Sequence, residues 1–149
     1  MDYDRCSEDL TTPHVVVHEN TRKFRINNPQ GILVKKIRVD GCLIHDHRPR
    51  CDYVFELGQG CDCAIYLELK GADIEKAISQ LIATMGHIKE RHNATTIVCH
   101  IVASRVPRAG TKLQNLKLHM ARKHKAQLYV GTQQVVIDLR SAPYCSVRK

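Results

Sequence analysis

Aromatic residues are scarce in this chain, which has no tryptophan, two phenylalanines and five tyrosines among 149 residues. Proteins that bind single-stranded nucleic acid stack the bases on aromatic side chains, so this scarcity argues against stacking as the main mode of recognition. No stretch approaches the roughly 18 apolar residues of a membrane-spanning helix, which predicts no membrane partner. The N-terminus, Met1–Asp4, is acidic and lacks the apolar core of a signal peptide. We therefore expect a soluble, cytoplasmic protein.

Acidic residues are the minority charge, with 15 acids against 23 lysines and arginines and a formal net charge of +8. A balance this basic favours a polyanionic partner, most simply nucleic acid and in particular DNA. Basic residues are frequent late in the chain, where a strand-end loop and a helix could contact backbone phosphates. The predicted nucleic-acid-binding residues are Arg105, Arg108, Lys112, Lys117, Arg122 and Lys123. The alternative is a solvated helix face without a partner.

The length suits one domain over residues 1–149, with a short strand-rich extension over about residues 1–30. We find no internal repeat, linker or low-complexity segment. The seven cysteines are an odd number, and several fall within apolar runs. Free, buried cysteines in a reducing cytoplasm are the simplest interpretation.

The hydrophobic pattern predicts an α/β fold in which helices flank a mixed central sheet. Three strands form an antiparallel meander, and a helix, a strand, a second helix and a closing strand follow. These elements are expected at 32–44, 50–57, 64–70, 73–91, 95–103, 111–125 and 127–139. Two short strands at 14–19 and 23–26 precede them, and Ser7–Leu10 has the composition to start a short helix. In the second helix, Leu113, Leu116, Met120 and Leu118 are candidates to point inward.

Two of the apolar strands carry an acid where an apolar residue is expected. Asp52 lies in the run 50–57, and Glu68 lies in the run 64–70. Alternation along a strand places Glu68 and Lys70 on one face, and a hairpin can return Asp52 beside Glu68. Burying an unpaired carboxylate is costly, so acids in such strands usually have a purpose. Two carboxylates and an ammonium at one strand end suit a divalent cation and a phosphate oxyanion.

The alternative is structural. Asp52 would then be a turn residue at the start of a strand, and Glu68 and Lys70 would form an ion pair on an edge strand. Ion pairs of this kind are common on protein surfaces and contribute only ~0–1 kcal/mol.

The pattern Asp52…Glu68-Leu69-Lys70, followed by a helix, resembles that of the PD-(D/E)xK nuclease superfamily. The resemblance covers residues 34–102 and continues more weakly to Leu139. It implies a nuclease that hydrolyses phosphodiester bonds in DNA with magnesium or manganese. Asp52 and Glu68 would then be metal ligands, the main-chain carbonyl near Leu69 would complete the metal shell, and Lys70 would be the catalytic lysine.

Gln80, on the helix that follows, stands where many relatives carry a glutamine near the active site. It is therefore included among the predicted catalytic residues. The alternative is an exposed helix residue with no part in the site.

One feature departs from the family pattern. Many relatives have a helix before the first core strand, and this helix often carries another acid. Here that region is strand-like, and the candidates for a third acidic ligand are Glu8, Glu19 and Asp40. Asp40 precedes a glycine, which favours a role in a turn.

Other interpretations stay open. His45, His47, Cys51, Cys61 and Cys63 are zinc-type ligands close in sequence, although their spacing is not that of structural zinc sites. The protein could also bind nucleic acid without hydrolysing it, or be an interaction protein or inhibitor of mobile-element origin. A homodimer or a subunit of a larger complex fits any of these functions.

Overall fold

The computed structural model describes residues 1–69, 73–92, 94, 96–105 and 110–144. Within them the chain forms three helices and nine strands, and a single turn of 3-10 helix, Lys89–Arg91, follows the second helix. The helices are α1 (Tyr3–Cys6), α2 (Ile74–Ile88) and α3 (Thr111–His124). The strands are β1 (Ser7–Leu10), β2 (His14–Glu19), β3 (Arg22–Asn27), β4 (Val34–Arg38), β5 (Tyr53–Leu57), β6 (Cys63–Leu69), β7 (Thr96–Ala103), β8 (Ala126–Thr132) and β9 (Gln134–Asp138).

The main sheet has six strands in the order β1-β4-β5-β6-β7-β8. Strands β4, β5 and β6 form the predicted antiparallel meander. Strand β7 is parallel to β6, strand β8 is parallel to β7, and helices α2 and α3 make the crossovers. The predicted α/β fold with a mixed sheet is therefore confirmed. The carboxyl ends of β6, β7 and β8 lie at the same end of the sheet. We call this end the carboxyl edge, as distinct from the outer strands β1 and β8.

A second sheet has the order β2-β3-β9. The two short strands predicted at 14–19 and 23–26 are confirmed as β2 and β3, which pair antiparallel, and β9 adds to β3 in parallel. The single closing strand predicted at 127–139 is wrong, because the segment is two strands in two different sheets. Gln133 separates them with a left-handed φ of 59°, and its carbonyl accepts a hydrogen bond from the N–H of Lys23 at 2.8 Å. This contact directs β9 onto β3.

The central strands of the main sheet are buried on both faces of the sheet. Helices α2 and α3 pack on one face, where Tyr66 is fully buried. The second sheet covers the other face, where the rings of Phe24 and Phe55 lie 6.0 Å apart. Every residue of β6 is consequently buried, including Glu68, which is 1% exposed. A strand covered on both faces loses the polar–apolar alternation of a half-exposed strand.

Helix α2 follows its N-cap, Asp73, whose carboxylate accepts a hydrogen bond from the N–H of Lys76 at 3.0 Å. In helix α3, Met120 is buried as predicted, and Leu113 and Leu116 are half-buried. The inward position predicted for Leu118 is wrong, because this residue is 48% exposed. Two residues correspond to about 200° of helical rotation, so Leu118 and Met120 face opposite sides. No helix in the described ranges is long and apolar enough to cross a membrane.

Several predicted boundaries in the first half of the chain differ from the structure. Strand β4 ends at Arg38, where the prediction continued to residue 44. The chain turns there, with a hydrogen bond from the N–H of Ile44 to the carbonyl of Val39 at 2.9 Å and a φ of +80° at Gly41. The short helix suggested at Ser7–Leu10 is instead strand β1, which pairs with β4.

A disulfide joins Cys6 to Cys42, so the prediction that the cysteines are free is wrong for this pair. Strand β1 pairs antiparallel with β4, so the residue before β1 meets the segment after β4, and the two Cα atoms lie 5.7 Å apart. The prediction is confirmed for four free and buried cysteines, which are Cys51, Cys61, Cys63 and Cys99. Cys145 lies outside the described residues.

We expect the variant Cys6→Ser/Cys42→Ser to unfold more easily than the wild type. The bond closes a loop with a sequence separation of 36, and a cross-link of this length stabilises a protein by about 3–4 kcal/mol through the entropy of the unfolded chain. Urea unfolding with and without a thiol reductant measures the difference. Reductant should lower the midpoint of the wild type and leave that of the double variant unchanged. Equal midpoints for oxidised wild type and variant would contradict the prediction.

Candidate functional site at the carboxyl edge

Asp52 and Glu68 meet at the carboxyl edge of the main sheet. Tyr53 pairs with Leu67 in the β5–β6 register, which places Asp52 opposite Glu68. The N–H of Asp52 donates to the carbonyl of Leu67 at 3.1 Å. Its carboxylate oxygen Oδ2 accepts the N–H of Leu69 at 2.7 Å. The structure thus brings together the two acids that the sequence singled out, and the backbone of β6 orients one of them.

The two carboxyl groups open into a cavity of about 470 Å³. Asp40 also lines this cavity, so three of its residues are acidic. Gln80 lines it from helix α2, as expected from the sequence. The side-chain oxygen Oε1 of Gln80 is buried and has no hydrogen-bond partner among the described residues. Gln80 can therefore offer this oxygen to a molecule in the cavity.

Burial raises the pKa of Asp52 above its ordinary value. Hydrogen bonds from the N–H of Leu69 and from the side chain of Glu68 act against this rise, and the negative charges of Glu19 and Asp40 add to it. The net effect is that Asp52 retains its proton to higher pH than an exposed aspartate. A cation bound at this carboxylate would favour its ionised form.

A hydrogen-bonded link attaches helix α2 to the strand that carries Asp52. The buried hydroxyl of Thr84 accepts the N–H of Cys51 at 2.7 Å. The same hydroxyl donates to the carbonyl of Gln80 at 2.8 Å. The link fixes the helix turn of Gln80 against the residue preceding Asp52. Sequence reasoning missed Thr84, because the contact joins residues far apart in the chain.

The donor set fits a magnesium or manganese ion of the kind held by few protein ligands. Magnesium commonly binds through one or two carboxylates and keeps water or phosphate oxygens as its other ligands. Asp52 and Glu68 supply two such carboxylates. No group of three or more histidine, cysteine or acidic residues in the described part of the chain is arranged to hold a metal. A metal ion here would therefore be held by two carboxylates from the protein, those of Asp52 and Glu68.

The candidates for a third acid are placed differently from one another. Glu8 lies on edge strand β1, opposite Lys36, and does not line the cavity. Asp40 lines the cavity, but its carboxylate pairs with the guanidinium of Arg50 at 2.9 Å. Glu19 lies in a smaller cleft of about 190 Å³ that also includes Asp40 and Asp52. Of these three acids, Glu19 and Asp40 are close enough to Asp52 to raise its pKa.

The cysteines considered for zinc lie at opposite ends of the hairpin of β5 and β6. Cys51 precedes the start of β5, whereas Cys61 and Cys63 lie at the start of β6, which pairs with the end of β5. Antiparallel pairing therefore puts Cys51 at one end of the hairpin and the other two thiols at the opposite end. Burial raises the pKa of both Cys61 and Cys63 to about 12. Both thiols are therefore protonated at neutral pH in the metal-free protein.

Two of the predicted site residues, Lys70 and Arg108, lie outside the described residues. Arg105 is exposed and follows β7, at the same edge as Glu68. Lys112, in the first turn of α3, forms an ion pair with Glu75 in the first turn of α2. This pair joins the two helices near the carboxyl edge.

The other predicted basic residues are further along helix α3. Lys117 is half-buried near the middle, and Arg122 and Lys123 are exposed in the last turn. Helix α3 returns the chain from the end of β7 to the start of β8. Its last turn therefore lies at the amino ends of these strands, away from the carboxyl edge. The predicted basic residues therefore do not form one patch beside Asp52.

Sequence reasoning also missed three cations that line the cavity, Arg48, Arg50 and Lys76. The two arginines flank Pro49 in the loop between β4 and β5, and Lys76 lies in the first turn of α2. The sequence signal for the two arginines was Arg-Pro-Arg, which stands shortly before Asp52 and the start of β5. This signal has no periodicity, so it does not by itself indicate where the residues lie in the fold.

This chain matches no protein-family model, no curated protein and no solved structure. Functional inference therefore depends on the residues and geometry of the cavity.

We expect Asp52→Asn to make the folded protein more stable at neutral and alkaline pH. The folded protein holds the Asp52 proton to higher pH than the unfolded chain, in which aspartate titrates near 3.8. Stability is therefore lost as the pH rises through the raised pKa. Asparagine carries no charge and can still accept the N–H of Leu69, so the variant should avoid this loss.

Thermal unfolding between about pH 4 and about pH 8 measures the effect. The variant's gain in melting temperature should be small at the acidic end and largest at the alkaline end. Asp9→Asn is the control, because this exposed carboxylate pairs with Lys35 at the surface and its removal should give no such gain. An Asp52→Asn protein that melts below wild type at the alkaline end would show that the carboxylate supports folding.

Proposed function

We propose that the protein hydrolyses phosphodiester bonds in DNA with the help of magnesium or manganese, reading backbone and structure more than base sequence. The observation that carries the proposal is the convergence of Asp52 and Glu68 in one cavity at the end of a fully buried strand. A buried acid in a cavity with a raised pKa, as found for Asp52, is typical of functional sites. The net charge of +8 supports a polyanionic substrate.

Asp52 and Glu68 would hold the metal ion. When bound, the ion would lower the pKa of a water molecule and neutralise charge on the phosphate oxygens. The N–H of Leu69 keeps the Asp52 carboxylate oriented towards the cavity. Gln80 offers a buried amide oxygen to a water molecule or to the substrate. The resemblance to the nuclease superfamily assigns the Leu69 carbonyl to the metal shell and Lys70 to stabilisation of the transition state.

The alternative is a nucleic-acid-binding protein, or an interaction protein or inhibitor of mobile-element origin, without hydrolytic activity. The pairing of Asp40 with Arg50 favours it, because this pairing occupies an acid that could otherwise complete a metal site. The cytoplasmic location stays a prediction, and the Cys6–Cys42 disulfide is of a type more frequent in oxidising compartments. A homodimer or a subunit of a larger complex also stays a prediction.

We expect Glu68→Gln to abolish cleavage while DNA binding and the far-UV circular dichroism spectrum stay close to wild type. Glutamine has the same shape, but it cannot supply the charge that holds the metal. Purified protein is incubated with plasmid, linear and branched DNA, with added magnesium or manganese and with a chelator. Cleavage by the wild type should require the metal and stop on chelation, without unfolding.

Glu90→Gln is the matched control, because this exposed glutamate lies beyond the end of helix α2. It should cleave like the wild type. Wild-type turnover in Glu68→Gln would remove this residue from the mechanism. Wild-type protein that binds DNA but cleaves none of the three substrates would favour the binding function.

A further inference from the structure

The cavity that contains Asp52 and Glu68 also has a cationic wall. Its members are Arg48 and Arg50, from the loop between β4 and β5, and Lys76, from the first turn of α2. The same cavity holds three acids, of which Asp40 pairs with Arg50 at 2.9 Å, so the cations balance the acidic charge. Without these cations, a phosphodiester entering the cavity would meet only like charge and be repelled.

The loop that carries the two arginines is held in place by several contacts. Arg50 donates from Nη1 to the carbonyls of Asp46 at 2.5 Å and Arg48 at 2.8 Å, and from Nε to Asp40 at 2.9 Å. The disulfide of Cys42 ties the same loop to the N-terminal helix. Because the backbone around Arg48 is fixed, its guanidinium is presented at the cavity at little cost in conformational entropy.

Arg48 and Lys76 are available to bind an anion. Arg48 has a side chain that is 42% exposed, and among the described residues its guanidinium pairs only with Asp46, two residues before it. Such an exposed local pair exchanges readily for a phosphate, to which a guanidinium can donate two parallel hydrogen bonds. The ammonium of Lys76 is exposed and forms no ion pair with a described residue.

We propose that Arg48 and Lys76 form a binding site for DNA backbone phosphates in the cavity of Asp52 and Glu68, with Arg50 as the residue that positions the loop. This inference deepens the proposed function and rests on it for the identity of the substrate. Arg48 approaches the cavity from the loop, and Lys76 approaches it from the helix. They bind phosphates of the DNA strand next to the phosphodiester that faces the two acids. The contacts are to phosphate oxygens and carry no base sequence information.

The basic residues first suggested by the sequence are less well placed for this role. Lys112 does not line the cavity, and Arg122 and Lys123 lie at the far end of helix α3. Helix α3 has 14 residues, so its last turn is about 15–20 Å from its first. The cationic wall, by contrast, shares a cavity with the acids.

The test is DNA binding by the double variant Arg48→Ala/Lys76→Ala. Fluorescence anisotropy with two labelled duplexes of unrelated sequence, in a metal-free buffer, is measured from about 50 to about 200 mM salt. Loss of two phosphate contacts should weaken binding to both duplexes equally and reduce the slope of log affinity against log salt by about 2.

The matched control is Arg140→Ala/Lys89→Ala, which removes the same charge. Arg140 pairs with Asp138 two residues before it through the same bonds as Arg48 with Asp46, and Lys89 follows the far end of α2. This control should keep the wild-type slope. The charge-conserving variant Arg48→Lys/Lys76→Arg should also keep most of the wild-type slope. If Arg48→Ala/Lys76→Ala does not fold, Arg48→Gln/Lys76→Gln takes its place in the test.

The outcomes separate this inference from the proposed function. If the slope of log affinity against log salt falls in Arg48→Ala/Lys76→Ala but not in the control, the phosphate site is supported, even if the wild type cleaves no DNA. An unchanged slope in a wild-type-like fold overturns it, even if the wild type cleaves with magnesium. An equal loss in the Arg140/Lys89 control would also overturn it, since binding would then follow net charge only. No binding of either duplex by the wild type at the lowest salt would overturn it as well.

Discussion

The arrangement of this protein depends on the burial of strand β6 on both faces. Helices cover one face and the second sheet covers the other, so every residue of the strand is buried. Glu68 has no route to solvent through either face, and its carboxyl group is directed to the cavity at the carboxyl edge. Asp52 is held there by the N–H of Leu69. The same burial that makes the core also concentrates two acids in a desolvated place and raises the pKa of Asp52.

The loop between β4 and β5 connects this core to the entrance of the cavity. It begins at Val39, whose N–H donates to the carbonyl of Asp52 at 2.9 Å, so the start of the loop lies beside its end. The disulfide at Cys42 and the hydrogen bonds of Arg50 fix the segment between them. A segment without regular secondary structure thus presents cations to a cavity whose acids come from strands. A scaffold of strands with functional residues on a fixed loop is common in proteins that bind charged substrates.

The sequence predicted the existence of the meander, and it predicted both crossover helices and the buried strand β7 to within a few residues. The signals were strong because each depends on local periodicity, as in the spacing of Ala77, Ile78, Leu81 and Met85 in α2. Predictions were wrong where distant contacts decide. Strand β4 stops at Arg38 because the chain must turn back towards Asp52, and Leu118 faces outward because Met120 reaches the sheet.

The sequence by itself determined the order of elements from β4 to α3 and the meeting of Asp52 with Glu68, because alternation along strands and closure of a hairpin are local rules. Tertiary structure alone decided the second sheet, in which β9 joins β3 from the other end of the chain. It also decided the Cys6–Cys42 pair, the link through Thr84 and the cationic wall of Arg48, Arg50 and Lys76. Each of these joins residues separated by long stretches of chain or places a loop without a repeating pattern. Their geometry follows from packing across the whole fold, which no local pattern of residues records.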